Sequence, residues 1–266
     1  RVMKDLRSIQ GTAQAFDWNI CLVSQLVTIA IRSIHRTTIT STLSMDIWND
    51  EDLAQLSEQL KRPSGGVKMW KEGLAGERAM MYSALDDPSL FFNSNDPGSQ
   101  GMSQFMKMLP LLASGRVHIL DSYHELIEVG TQGRKGLKER AKAWENRFVN
   151  QQRLRWGIDA SDYYLGMVMP ATVSYAEAIA RDENLRRLTL VSVLIKRFQL
   201  KHTRWPTTLN ELTEFGLGSE EWSNMDSKAF GYEVRDDVAY VWDRILVING
   251  RDVRTKPAFD PQLDGS

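Results

Sequence analysis

The sequence predicts a mainly α protein: a multi-helix bundle with a long C-terminal helix, followed by a small antiparallel β-hairpin or meander. Three observations carry that prediction. Apolar residues recur every three or four positions through most of the chain, the period of a helix packed on one side. One such run passes through Leu185, Leu188, Val191, Ile195 and Phe198 and leads to Trp205-Pro206. Beyond residue 231 the period changes to two, through Tyr232 and Val234 and then Val238, Tyr240 and Trp242. With 266 residues, 42% of them hydrophobic, the chain can bury a substantial core. The order of elements divides it into a helical domain over 1–165 and the long helix with its appendage over 166–266, two parts able to pack as one.

The elements follow in order. Ile20, Val23, Val27, Ile31 and Ile34 mark an amphipathic helix, and the β-branched run from Thr37 to Thr42 weakens its far end. Asn49 is placed to cap the next helix, with Asp50, Glu51 and Asp52 complementing its dipole. Leu53, Leu56 and Leu60 form that helix's buried stripe, and Pro63-Ser64-Gly65-Gly66 ends it. A third helix uses Trp70, Leu74 and Met81 and stops near Asp86-Asp87-Pro88. The stretch from Asp86 to Gly101 is a break rich in Pro, Asn, Ser and Gly, and it contains Phe91 and Phe92. Helices resume over Phe105 to Leu112, where Pro110 acts as a kink or stop, then over Val117 to Val129 and Leu137 to Phe148. The final helix starts near Pro170 and reaches His202, with a kink placed around Asp182 to Asn184.

Pro206 then makes a corner, because it fixes φ, lacks an N–H and holds Trp205 extended. Thr208 and Glu211 have the capping-box spacing, Leu209 and Leu212 form one apolar edge, and Gly216 or Gly218 closes the short helix. Asp236-Asp237 reads as the turn of one hairpin, and Asn249-Gly250 after Ile245 to Ile248 as the turn of a second.

The run Trp205-Pro206-Thr207-Thr208-Leu209-Asn210-Glu211-Leu212, followed by Asp226 to Tyr232, resembles the block after the long helix of type II secretion pseudopilins. The chain is also similar to uncharacterised, envelope-anchored helical proteins of planctomycete-like bacteria. That likeness rests on this block and on Gln25 to Ile31, Gly76-Glu77-Arg78-Ala79 and Met169-Pro170-Ala171. The resemblance implies a protein of the cell envelope, on the periplasmic side, tethered by an N-terminal anchor that precedes Arg1 and associated with other envelope proteins. It does not extend to the pseudopilin calcium loop: Asp226 is followed by Ser227 rather than Pro, and no Ser-x-Gly-x-Asp-Gly run follows.

The chemistry-bearing residues are sparse. A formal net charge of −1 gives no global pull towards nucleic acid, and none is expected as a partner. The single cysteine, Cys21, lies on an apolar helical pattern and reads as a buried, inert thiol. No phosphate-binding loop, dinucleotide fingerprint, zinc-protease motif or nucleophile elbow is present, and no cofactor or metal is expected. Asp121, His124, Glu125 and Glu128 share one helical face. They make either a hydrolase site centred on Asp121, His124 and Glu128 or a solvated surface. Glu77-Arg78 is either an ion pair between helices or an acid beside a ligand-facing arginine.

Arg134, Lys135, Lys138, Arg140, Lys142, Arg147, Arg153 and Arg155 interleave with Trp144, Phe148 and Trp156. They are either a solvated face or an anionic-surface contact. The 11 Met and 8 Trp suit core filling or an amphiphile-binding space between helices. The preferred expectation is a non-enzymatic interaction or scaffold module, with Phe91, Phe92 and Trp205 as its first candidate contacts.

Overall fold

The computed structural model describes residues 2–16, 21–86, 112–133, 135–154, 160–225, 227–243, 247–248 and 251–252. Within them the chain is mainly helical. The helices are α1 (Val2–Phe16), α2 (Leu22–Thr42), α3 (Asp50–Lys61), α4 (Gly66–Asp86), α5 (Leu112–Thr131), α6 (Leu137–Leu154) and α7 (Ala160–His202). Two 3-10 turns, Leu209–Phe215 and Ser219–Trp222, precede strands β1 (Gly231–Arg235), β2 (Val238–Trp242), β3 (Val247–Ile248) and β4 (Arg251–Asp252). Contacts group the chain into two compact units that interleave along the sequence. One comprises Arg1–Ala15, Thr28–Gly66 and Ala180–Ser266, and the other Phe16–Val27 and Val67–Ile179.

The first unit is organised around the C-terminal half of α7, where every residue from 189 to 196 is buried. A helix hidden on all sides carries no polar face, which suits the run Leu190, Val191, Val193, Leu194 and Ile195. The hydroxyls of Thr189 and Ser192 are satisfied by donating to the carbonyls of Leu185 and Leu188 on the same helix. Leu53, Leu56 and Leu60 of α3 join this core, as do Leu212, Leu217 and Phe230 and, from β2, Ala239 and Val241. Asn49 caps α3 as its position predicts: its side-chain oxygen accepts the Asp52 N–H at 2.8 Å.

The corner forms with two differences from expectation. α7 stops at Thr203, which adopts a left-handed φ of 54° ahead of the proline. The capping arrangement at Thr208 is made from its acidic side: Glu211 Oε1 accepts the N–H groups of Thr207 and Thr208 at 2.5 and 3.3 Å. The Thr208 hydroxyl makes no capping bond. The short helix has 3-10 geometry and ends at Gly216, whose φ of 74° favours glycine.

β1 and β2 pair antiparallel across Asp236 and Asp237, both at positive φ (50° and 59°), the signature of a type I′ turn. Gly231 is required here, because a Cβ would sit 2.1 Å from the ring of Trp242, its cross-strand partner. β2 turns Ala239 and Val241 into the core, so the larger Val238, Tyr240 and Trp242 form its outer, half-exposed face. β3 and β4 pair on either side of Asn249-Gly250, which lies outside the described residues.

Two helices depart from their predicted form. α7 begins at Ala160, runs through Pro170 and stays α-helical across Asp182 to Asn184, for 43 residues in all. α2 exposes the stripe expected to be its buried one, with Val23, Val27 and Ile34 at 68%, 37% and 60% exposure. It buries Leu22, Gln25, Thr28, Ile29, Arg36, Ile39 and Thr40 instead. The threonine-rich end remains helical to Thr42, with the hydroxyls of Thr38, Thr40 and Thr42 satisfied by the carbonyls of Ile34, Arg36 and Thr38. Trp48 then donates to the terminal carbonyl of Thr42 at 2.8 Å.

Candidate functional site

Four buried charges of the first unit, Arg36, Asp182, Glu183 and Arg186, pair with one another. Arg36 of α2 pairs with Asp182 of α7, with side-chain exposures of 6% and 1%, and also donates to the Asp182 carbonyl at 2.6 Å. The next residue, Glu183, accepts from Arg186 at 2.7 and 2.9 Å, from Arg187 at 3.1 Å and from the Ser64 hydroxyl at 2.7 Å. Arg186 also reaches the Leu60 carbonyl that ends α3.

Burial pushes the Asp182 carboxyl up against the pull of Arg36 and Arg32, and burial likewise lowers Arg36. For Glu183 burial acts upward too, but hydrogen bonds and charge from Arg186, with help from Ser64, outweigh it and hold the group at about 2. His35, next in sequence to Arg36, is lowered by burial and by that cation. These groups tie α2, α7 and the segment after α3 together, and their ionisable atoms face each other rather than a cleft. The predicted kink at Asp182 to Asn184 marks this network.

In the second unit α4 has two contrasting faces. Its inner face carries Trp70 and Leu74, both at 0% exposure. Trp70 stacks on Tyr175 with ring centroids 5.7 Å apart and donates to the Leu126 carbonyl at 2.8 Å. Gly130 permits this approach, since a Cβ there would lie 2.2 Å from the indole. Glu77 accepts the Leu22 N–H at 2.9 Å, satisfying an otherwise orphaned donor in the first turn of α2. Glu77 and Arg78 therefore do not make the expected ion pair.

The outer face of α4 presents Ala75, Arg78, Ala79, Tyr82 and Ser83, which with Leu120 of α5 line an open cleft of about 530 Å³. Arg78 is half-buried there and has no acidic or hydrogen-bonding partner among the described residues. Ser83 donates to the Ala79 carbonyl at 3.1 Å, and Tyr82 is 50% exposed.

The other sequence candidates fall as follows. Asp121, His124 and Glu128 are all exposed on α5, and no group of three or more potential metal ligands occurs among the described residues. Glu125 of that face accepts from Trp144 at 2.9 Å and from Arg147 at 3.3 Å. Several of the basic residues have internal partners as well: Lys138 pairs with Glu177 at 3.0 Å, and Arg140 donates to the carbonyls of Val129, Gly133 and Lys135. Arg134, Arg155 and Trp156 lie outside the described residues, as do Phe91 and Phe92.

Trp205 is half-buried against the first unit's core, and its indole donates to the Asp237 carbonyl at 2.8 Å, pinning the hairpin turn. The cavity it lines measures about 20 Å³, room for a water molecule and little more. His202, without a partner recognisable in sequence, bonds Glu214 at 2.9 Å. Cys21 is half-buried and contacts the Ser24 hydroxyl at 2.9 Å.

A further surface emerges on α2, where Ala30, Ile34, Thr37 and Ser41 of the first unit are all exposed. These positions repeat at spacings of four, three and four, and none is charged. Of the two arginines within this span, Arg36 is buried against Asp182 and Arg32 donates to the Ser64 carbonyl at 2.9 Å.

No protein family, curated protein or solved structure matches this chain.

Proposed function

We propose that this chain is a non-catalytic interaction module whose docking face is the uncharged strip of α2 from Ala30 to Ser41. The observation that supports the reading is chemical. A quarter of the chain is charged, yet the exposed positions of this helix segment carry Ala, Ile, Thr and Ser, with Ile34 at 60% exposure. A solvated helix face normally carries Lys and Glu; one that omits them and exposes a β-branched aliphatic residue is suited to contact.

The occupant of this strip is a partner helix bearing its own uncharged stripe at spacings of three and four, because that repeat lets two helices interlock. The strip is about 17 Å long and one helix wide. Such a footprint suits one partner helix rather than a globular surface, for which a stable interface takes ~800 Å² per partner. The pseudopilin-like corner supports an envelope setting, with membrane tethering through an upstream anchor and other envelope proteins as partners.

The test is a photo-crosslinking amino acid placed at Ile34 in the organism that makes this protein, with Lys142 as an exposed control site on α6. The expected result is a single adduct at position 34, absent at 142, whose crosslinked peptide comes from another protein and carries an apolar three-four repeat. Ile34→Glu, in the full chain, should abolish the complex without altering the far-ultraviolet spectrum. No adduct at 34, or one whose peptide comes from this chain itself, would overturn the reading.

A further inference from the structure

We infer that the cleft on the outer face of α4 is a binding site for a carboxylate-bearing amphiphile, with Arg78 as the residue that receives the carboxylate. The inference stands on a different helix face and a different unit from the α2 strip, and it does not depend on that strip's role.

The geometry begins with helical spacing. Ala75, Arg78, Ala79, Tyr82 and Ser83 fall at i, i+3, i+4, i+7 and i+8, so they form one continuous stripe about 12 Å long. Leu120 faces it from α5, and the open cleft between them, about 530 Å³, is within the size range of small-molecule clefts. The stripe is rigidly presented, because the opposite side of α4 is anchored by Trp70 and Leu74 and by the Glu77 contact to Leu22.

The cleft's chemistry is asymmetric. Among the described residues its walls are the two alanine methyls, Leu120 and the Tyr82 ring, and its charge is Arg78. No carboxylate lines it among the described residues; the nearest acid in sequence, Glu77, is engaged with the α2 backbone. A guanidinium offers a planar fork matched to a carboxylate, and a half-buried one with no counter-ion among the described residues has lost hydration that such a partner restores. An apolar body of eight or so carbons would then run along the alanines beneath Tyr82. A second charge at its far end would meet no partner among the lining residues, so the ligand class is a single-headed anion with an aliphatic or aromatic tail.

Calorimetric titration of the full chain with octanoate, octanol and acetate tests this. Octanoate should bind, acetate far more weakly. Arg78→Gln should weaken octanoate by about tenfold or more, the loss of a charge-assisted pair, while leaving octanol binding unchanged. Ala79→Phe should fill the cleft and abolish binding of both octyl compounds, with an unaltered melting temperature showing that the fold survives. The assignment is overturned if octanoate does not bind the wild-type chain, if Arg78→Gln binds it equally well, or if acetate binds as tightly as octanoate.

Discussion

Arg36 and Arg78 both sit on helices among apolar neighbours, yet the structure uses them in opposite ways. Arg36 meets Asp182 from 146 positions along the chain, with both side chains almost wholly removed from water. Arg78 is half-buried, and its sequence neighbour Glu77 is occupied with the first turn of α2. A buried cation facing its own acid is an internal tie: the pair repays part of its desolvation, and neither member is free for a ligand. A cation left unmatched at the edge of a cleft contributes little to folding and keeps its capacity for an external anion. The contrast separates what holds the first unit together from what the second unit offers to solution.

Four measurements test that contrast, in falling order of expected effect. Arg36→Met should cost about 3–5 kcal/mol in urea unfolding, because it strands the buried carboxylate of Asp182, whose Oδ2 already lacks a partner among the described residues. A loss under about 1 kcal/mol would mean that Asp182 is neutral or reached by water.

Glu183→Gln should cost on the order of 2–3 kcal/mol at neutral pH, with a distinctive pH profile. The folded-state value of Glu183, about 2, lies below its ordinary 4.5. The stability it supplies is therefore complete above pH 4.5 and is lost as pH falls towards 2. The gap between wild type and variant should close across that window. Glu211 is also held at about 2, by Arg204 and then by the Thr207 backbone, so the difference between the two proteins, rather than either curve alone, reports Glu183. A gap independent of pH would assign the loss to packing.

The double change Arg36→Met with Asp182→Leu should return stability to within about 1 kcal/mol of wild type, since buried ion pairs are often replaceable by apolar volume. If it is as unstable as the single variant, the network contributes more than compensation of its own charges. Arg78→Gln should leave unfolding within about 0.5 kcal/mol of wild type, as surface changes away from a network do. A loss comparable to that of Arg36→Met would make Arg78 structural and remove the contrast.

Much of the fold is legible because it rests on short-range rules. The Asn49 cap, the Leu53, Leu56 and Leu60 stripe, the Glu211 contact at the corner and the Asp236-Asp237 turn each need only residues within one or two turns of chain. The wrong face of α2 shows where such rules stop. Hydrophobic period identifies a two-sided helix, but it takes the apolar side to be the inner one. Here the inner side includes Gln25, Thr28 and Arg36, and Arg36 is tolerable there only because Asp182 waits on α7.

The same limit applies to Asp182 and Glu183. In sequence they look like a solvated interruption suited to a kink, although Arg186 and Arg187 at three and four residues from Glu183 already hinted at pairing. The Glu77-Arg78 pair was visible from the start. What it lacked was the position of Leu22, 55 residues away, which claims the acid and leaves the base.

The amino-acid order by itself determined the helical class, the cap at Asn49, the proline corner and the terminal hairpin. Backbone hydrogen bonding and side-chain period act over a few residues and need no distant partner. Tertiary structure alone decided which side of α2 meets water, which arginine is neutralised internally and which remains available. Those outcomes depend on the desolvation of charge, and that is set by groups brought together from opposite ends of the chain.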